Sequence, residues 1–388
     1  MTNKFSVAII GGGVLGLAVA HSLLKQGKQN IILLEKNSAF GLEQSGSNSG
    51  VIHSGFIYKP GTCMASLCAE GVDLLIKFCR ANAVPYKLTG KIVVATDAAQ
   101  EKELELYYKQ AKKNGLAGVK IISGKESREI EPCVAAKAAL HIPNAGVFDP
   151  SYFVNELYRQ VSSMHDTPDL IMKGCNVVNV KAQNDHFLLD IRQSNSNLPS
   201  WQVACETLVN AAGLQSLDIA KLIHPDMIYQ KQYLKGEYYQ FNCQSNLFVN
   251  MNIYPVPLMV DLPSGGQFLD LGAHLTPKVG RGLDGNTTVA KEILVGPIFS
   301  EMNDPEDYTS TMSPDIFFDA VKGYCPSLNI ENLYKGHTGI LGLIKGQTDF
   351  MISKDEEFPN CIHLLGMESP ALTASLAIGN QVASLLAS

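Results

Sequence analysis

The sequence predicts an α/β fold in which a Rossmann-like unit of parallel strands is interleaved with a domain built on a mainly antiparallel sheet. Three observations predict it. The first is a strand, turn, helix and strand at the start: Val7-Ala8-Ile9-Ile10 runs into Gly11-Gly12-Gly13-Val14-Leu15-Gly16, and an apolar helical stretch then leads to Ile31-Ile32-Leu33-Leu34-Glu35. The second is a pair of buried-type strands that end in small residues or glycine, at 206–213 and 361–366. Such ends let a backbone approach a ligand at the edge of a doubly wound sheet. The third is the stretch 226–332, whose β-branched and aromatic residues cluster at 233–241, 247–254 and 268–275. That composition suits antiparallel strands.

The N-terminal pattern has a specific use. Gly11-x-Gly13-x-x-Gly16 permits a tight turn, close approach to a pyrophosphate and packing of the helix on the strand. The helix N-terminus then turns N–H groups and a positive dipole end toward phosphate. Glu35 stands about 20 residues beyond Gly16, where a carboxylate accepts from ribose hydroxyls. It favours a free 2′-OH, and so FAD or NAD over NADP. Residues 5–24 lack Lys, Arg, Asp and Glu, a length that could cross a bilayer. Three consecutive glycines and the acid-terminated second strand have no role in a spanning helix, and a signal peptide would need a charged start and a cleavage site.

Composition agrees with an enzyme that has a large core. The chain has 388 residues, 46% hydrophobic and 18% charged, enough for two domains and unlike a disordered chain. A net charge of −6 without a basic run argues against nucleic-acid partners. The nine cysteines form no CxxC pair and no Cys/His cluster at zinc spacing, so no metal site is expected and a reducing cytoplasm is. Cys63 and Cys68 fall on one expected helix. Residues 195–200 read as a polar loop within a domain.

A second constellation, Ser45-Gly46-Ser47-Asn48-Ser49-Gly50-Val51-Ile52-His53-Ser54-Gly55, follows Glu35. This density of Gly, Ser and Asn forms neither helix nor strand interior, but it makes a loop rich in N–H donors. Such a loop suits a pyrophosphate and the edge of a flavin ring. His53 is either held toward that cofactor or caps a turn.

Here the chain resembles the FAD-dependent L-2-hydroxyglutarate oxidases and dehydrogenases of the D-amino-acid-oxidase-like flavoprotein group. The resemblance rests on NSGVIHSG with YKPGTCMASLCAEG, then GKIVVAT, GVFDPSYFVNEL, KGEYYQF, YPVP, LGAHLTP, VGP and HLLGMESPALTASLAIG, in order along the whole chain. It implies FAD as cofactor and oxidation of an L-2-hydroxy acid, L-2-hydroxyglutarate first, to the 2-keto acid by hydride transfer to flavin N5. It adds Lys36, Ser45, Asn48, Ser49, Gly50, Val177, Gly366, Leu372 and Thr373 to the cofactor contacts read above at Gly11, Gly13, Gly16, Glu35, Ala212 and Gly213. The expected FAD-binding domain comprises 1–85, 150–225 and 333–388, and the substrate domain 86–149 and 226–332. The active site is expected where the two meet. Ser369 and Pro370 suit the cap and first turn of a C-terminal helix.

A base must remove the hydroxyl proton, and histidine suits that role. His53 is the first candidate and His274, on the AHLTP strand, the second, with a core position as the alternative for His274. Lys235 is a candidate for a substrate carboxylate, or else a solvated strand-face charge. Tyr58 and Tyr254 either line the pocket or pack. The chain departs from the resembled family at three places. Leu341 stands where relatives carry an arginine suited to a substrate carboxylate, with Lys345 four residues later. Ala371 replaces a usual glycine, and Ser47 a larger side chain. These departures leave open an amine or amino-acid oxidase of the same fold, and a flavin-binding protein with altered or lost turnover. The electron acceptor, oxygen or a quinone, is open, and with it peripheral membrane contact.

Overall fold

The computed structural model describes residues 3–183, 185–196, 198–243, 247–282 and 286–387. Asn197 of the expected polar loop lies outside them. The chain forms two compact units. The first comprises Met1–Gly46, Pro150–Gln232 and Leu341–Ser388, and the second Ser47–Asp149 and Tyr233–Ile340.

In the first unit, strand Asn3–Ile10 lies between Ile31–Leu34 and Trp201–Asn210 and runs parallel to both. Ile10 is level with Leu34 on one side and Asn210 on the other. The end of Trp201–Asn210 also pairs in parallel with Cys361–Leu365. On that same side, Phe187–Gln193 pairs antiparallel with the first half of Trp201–Asn210, and Cys175–Ala182 pairs antiparallel with Phe187–Gln193 in turn. Ile31–Leu34 and Cys361–Leu365 are buried at every position, as parallel strands covered on both faces must be.

Helix Val14–Lys25 is buried from Val14 through Leu24. Helices Pro150–Met164 and Ala371–Ala387 pack against it. A Cβ on Gly379 would lie 2.5 Å from the Ala18 carbonyl oxygen, so two helix backbones touch there. This enclosure explains why residues 5–24 carry no charge. Among the described residues, no helix is long and apolar enough to cross a membrane. Helix Ala371–Ala387 starts one residue later than Pro370, whose carbonyl accepts from Ala374 N. Pro370 therefore takes the cap position expected of Ser369.

The second unit is built on a sheet of eight strands. Their order is Tyr334–Ile344, Lys231–Asn242, Thr287–Met302, His274–Arg281, Asn252–Pro255, Lys91–Ala95, Ala138–Ile142 and Lys120–Ser123. From Lys231–Asn242 to Lys120–Ser123 its pairs are antiparallel except Asn252–Pro255 with Lys91–Ala95, which is parallel. One face carries a core that includes Phe241, Leu275, Val295 and Phe317. Helix Ala98–Lys113 is capped by Asp97, which accepts from Ala99 N and Gln100 N at 2.9 Å each.

Residues 47–85, expected with the nucleotide-binding unit, belong instead to this second unit. Strand Val51–Ile52 pairs with Gly146–Phe148, which also pairs with Tyr86–Lys87. The Gly/Ser/Asn loop gave no sign of that pairing. Residues 333–340 also fall here, because Tyr334–Ile344 is the edge strand beside Lys231–Asn242.

Glu237, fully buried, ties the sheet to the segment before helix Pro314–Val321. It accepts from Thr311 N and Ser310 Oγ at 2.8 Å, Met312 N at 3.0 Å and Thr311 Oγ1 at 3.1 Å. Burial raises its pKa, but the bonds from Met312, Ser310 and Thr311 outweigh burial and hold it below the ordinary value. A depressed folded pKa gives stability that is present above the unfolded value of about 4.3 and lost as pH falls through the folded one. Glu237→Gln, which presents an amide donor to these donors, is expected to lower unfolding free energy by about 2 kcal/mol at neutral pH. Urea titrations should show that gap closing as the pH is taken below about 4.

Candidate active site

In the first unit, a cleft of about 280 Å³ opens at the ends of the parallel strands, with Gly11, Gly13, Glu35, Lys36, Ser45, Val177, Ala212 and Gly213 in its walls. Its shape depends on missing side chains. Gly11 has φ +106°, and a Cβ there would lie 2.3 Å from the Ala211 carbonyl oxygen. A Cβ on Gly16 would lie 1.9 Å from the Gly11 carbonyl oxygen. Gly16 does not line the cleft; it lets the helix seat on the turn. Ser45 has a clear task, since its hydroxyl accepts from Val14 N at 2.9 Å and so caps the glycine-turn helix. Gly13 leaves room for it, because a Cβ there would lie 3.1 Å from Ser45 Oγ.

Glu35 accepts from Gly12 N and Asn37 N at 2.7 Å each. Burial nonetheless pushes its pKa up. Lys36 pairs with Glu43 at 2.7 Å. The turn on the far wall is braced from behind. Asn210 Oδ1 accepts from Ala212 N, and Asn210 Nδ2 donates to Ser216 O at 2.7 Å. The same amide lies 3.1 Å from His363 Nδ1, and His363 Nε2 lies 3.2 Å from Asp355 Oδ2. That order assigns the His363 proton to Nε2. His224 Nε2 meets the same carboxylate oxygen at 2.7 Å. A glycine-lined cradle with a buried carboxylate beside it fits the nucleotide half of FAD.

In the second unit, the sheet brings ionisable side chains together from neighbouring strands. The rings of Tyr254 and His274 stack at 4.0 Å. Lys91 Nζ lies over the same tyrosine, 3.8 Å from the ring centroid, and 5.7 Å from that of Phe56. Lys91, Tyr254 and His274 are all buried, with 1%, 1% and 3% exposure. Across the sheet, Tyr238 stacks on His337 at 4.4 Å and bonds to the Ser49 side chain. His53 follows the short strand Val51–Ile52, and its carbonyl accepts from Cys68 Sγ at 3.5 Å. His274 Nδ1 is 2.9 Å from Thr276 Oγ1.

Burial sets the charges. It lowers His53 to about 3, with the Lys91 charge adding to the effect. His274 falls well below its ordinary value through burial, Lys91 and His53. Burial also lowers Lys91 to about 7 and raises the Cys68 thiol to about 12. His337 drops to about 4 through burial and Lys278. The histidines are therefore neutral bases at neutral pH, and Lys91 is the group among them that still carries part of a positive charge.

Of the residues picked from the sequence, His53, His274 and Tyr254 share this environment. Tyr58 is buried beside Gly55 in the same segment. Lys235 requires a correction. Its ammonium is buried against Asp307 Oδ2 at 2.7 Å and Thr309 O at 3.0 Å, and so already has an anion of its own. Asn48, Ser49 and Gly50 lie in the second unit, where Asn48 Oδ1 accepts from Gly50 N. Gly366, Leu372 and Thr373 stand at the C-terminal strand–turn–helix, outside the cleft walls. There burial raises Glu368 to about 8. Ala371 is buried, Leu341 half-buried and Lys345 exposed. The carbonyl of Ser47 faces Gly339, where a Cβ would lie 2.2 Å away.

Sequence reasoning missed Lys91, Tyr238 and His337. Lys91 carried one signal: a lysine opening the run Ile92-Val93-Val94-Ala95, in a strand that is buried throughout.

A family described as FAD dependent oxidoreductase matches residues 6–385. The chain belongs to that family. FAD is accordingly the cofactor of this oxidoreductase, and the cleft residues named above are those that fit it. An L-2-hydroxyglutarate dehydrogenase from Indibacter alkaliphilus is 32% identical over 97% of this chain and 98% of its own length. A mitochondrial protein of the same name from Dictyostelium discoideum is 29% identical over 99% of this chain and 93% of its own. Among solved structures, the L-α-glycerophosphate oxidase of Mycoplasma pneumoniae with FAD bound superposes with a TM-score of 0.82, at 26% identity, over 100% of this chain and 95% of that one.

The Gly11–Gly16 contact makes a direct test of the cleft. Gly16→Ala forces a methyl group into the Gly11 carbonyl, an overpacking cost of about 1–3 kcal/mol. The expected product is a folded protein of lower melting temperature that purifies without its visible flavin band. Retention of full flavin by this variant would contradict the packing described.

Proposed function

We propose that this flavoenzyme oxidises L-2-hydroxyglutarate, or an L-2-hydroxy acid close to it, to the 2-oxo acid. The observation that carries the reading is the buried group of two neutral histidines beside one lysine cation in the second unit. The names of the relatives support it. In the first unit we assign Gly11, Gly13, Glu35, Lys36, Ser45, Val177, Ala212 and Gly213 to holding FAD. FAD held there would supply the acceptor for the hydride that leaves the substrate α-carbon.

The chain's own residues handle the proton and the charge. A neutral imidazole takes the hydroxyl proton, and a base near operating pH contributes typically 10²–10⁴-fold. His53 is the first choice. His274 is the second, acting at Nε2, because Nδ1 is engaged by Thr276. Burial has made both weak bases. An entering carboxylate raises their basicity, since an opposite charge favours the protonated form. The Tyr254 ring, stacked on His274 and in contact with Lys91, helps keep water from the group. The cysteine usage supports a reducing, cytoplasmic setting, and we leave oxygen or a membrane quinone as the acceptor to be distinguished by assay.

Anaerobic titration with L-2-hydroxyglutarate should bleach the flavin band at low concentration. The variants His53→Ala and His274→Ala should divide the labour. The one that removes the base lowers the limiting rate of bleaching by roughly 10²-fold or more. An unchanged band with L-2-hydroxyglutarate, alongside bleaching by glycine or an L-amino acid, would replace this reading with an amino-acid oxidase.

A further inference from the structure

We infer that Lys91 is the residue that binds a substrate carboxylate, an assignment that rests on the hydroxy-acid reading above and names the cation of that site. Two lysines are buried among the described residues, Lys91 and Lys235. Lys235 has its own counter-ion, Asp307, at 2.7 Å. Lys91 has none. The groups that face it are the rings of Tyr254 and Phe56, the neutral thiol of Cys68 and the neutral imidazoles of His53 and His274. No carboxylate among the described residues pairs with it.

An ammonium withdrawn from water without an anion is costly, and buried charges are as a rule paired. A π face attracts a cation but leaves its N–H donors without acceptors. The place is therefore short of negative charge and of hydrogen-bond acceptors. An entering carboxylate supplies both. Two further groups point the same way. The Tyr254 hydroxyl and the Ser54 hydroxyl next to His53 are buried with no hydrogen-bond partner. A carboxylate is an acceptor that hydroxyl donors can satisfy. The neutral histidines do not compete for the anion, so the lysine takes the charge and a neutral imidazole takes the proton.

The position on the sheet favours this role. Lys91 opens strand Lys91–Ala95, whose parallel neighbour carries Tyr254, and the strand beyond that carries His274. One cation and one base thus flank the strand of Tyr254, each in contact with its ring.

The test compares the wild-type holoenzyme with Lys91→Met and Lys91→Arg. Flavin content and melting temperature are checked first. Bleaching is then followed anaerobically against L-2-hydroxyglutarate concentration, and binding of glutarate is followed by calorimetry. We expect Lys91→Met to need at least tenfold more substrate at half-saturation, with a limiting rate within threefold of wild type. Lys91→Arg, which keeps a charge, should fall between the two. Unchanged half-saturation in Lys91→Met overturns the assignment and leaves the hydroxy-acid reading standing. A limiting rate that collapses at unchanged half-saturation overturns it too, by making Lys91 a proton carrier. If the wild type is bleached by a different carboxylate substrate and Lys91→Met weakens that one, the assignment stands and the L-2-hydroxyglutarate reading falls. If the wild type binds no carboxylate, the assignment falls.

Should Lys91→Met fail to fold, the wild type and Lys91→Arg decide by their pH profiles. The lysine loses its charge as pH rises through about 7, so wild-type kcat/KM should fall between pH 6 and 9. In Lys91→Arg it should stay level, because guanidinium remains charged. Parallel profiles would overturn the assignment. His53, His274, Cys68 and Tyr254 face the same site, but none changes charge between pH 6 and 9.

Discussion

The absence of a side chain at Gly16 is the constraint on which the first unit depends. The Gly11 carbonyl occupies the space that a Cβ would need, at 1.9 Å. Only that contact lets helix Val14–Lys25 lie against the turn closely enough for Ser45 to reach Val14 N. From there the constraint spreads. The helix is pressed between two others, and Gly379 continues the same logic against Ala18. Chain segments remote in sequence are thus fixed by backbone contacts, which tolerate less adjustment than side-chain packing does. The cleft inherits its shape from these contacts.

The second unit works by a different rule. Its site is made by desolvation, since burial is the largest cause of every shift at His53, Lys91 and His274. Burial acts oppositely on acids and bases, but here all three groups are bases, and each is driven toward neutrality. Lysine starts from the higher value and so keeps appreciable charge at a pH where the histidines keep none. One environment thereby produces a cation and two proton acceptors. Lys91 and His274 both contact the Tyr254 ring, and all three are buried.

Much of this was legible in the sequence. The glycine pattern, the acid at Glu35 and the strand that ends before Ala212 and Gly213 announced the cleft, because each reflects a local backbone need. His53 and His274 were visible as residue types suited to the chemistry. The division of the chain was less legible. The Gly/Ser/Asn loop looked like part of the nucleotide unit, yet Val51–Ile52 pairs with a strand some hundred positions later, and pairing over that distance leaves no periodic trace. Lys235 misled for the same reason. Strand alternation places it on a face, but only the folded chain shows Asp307 waiting there. Lys91 was passed over because a lysine at the head of an apolar strand ordinarily snorkels to solvent, and here the neighbouring strands cover it.

Leu341 shows why a missing motif residue is weak evidence against a function. A binding site requires a charge at a point in space, and nothing ties that charge to one position in the chain. Leu341 is half-buried on strand Tyr334–Ile344, and Lys345 beyond it is exposed. Neither resembles a buried cation held for an anion. Lys91 does, on another strand of the sheet. A lysine is not equivalent to an arginine, however. Its ammonium is a compact charge without the planar fork that fixes a carboxylate in two dimensions. A site built on it holds its substrate by charge and by the shape of the surrounding rings more than by paired hydrogen bonds. On the assignment of Lys91 proposed above, selectivity would rest on the rings of Tyr254, Phe56 and His274 as much as on the cation that draws the anion in.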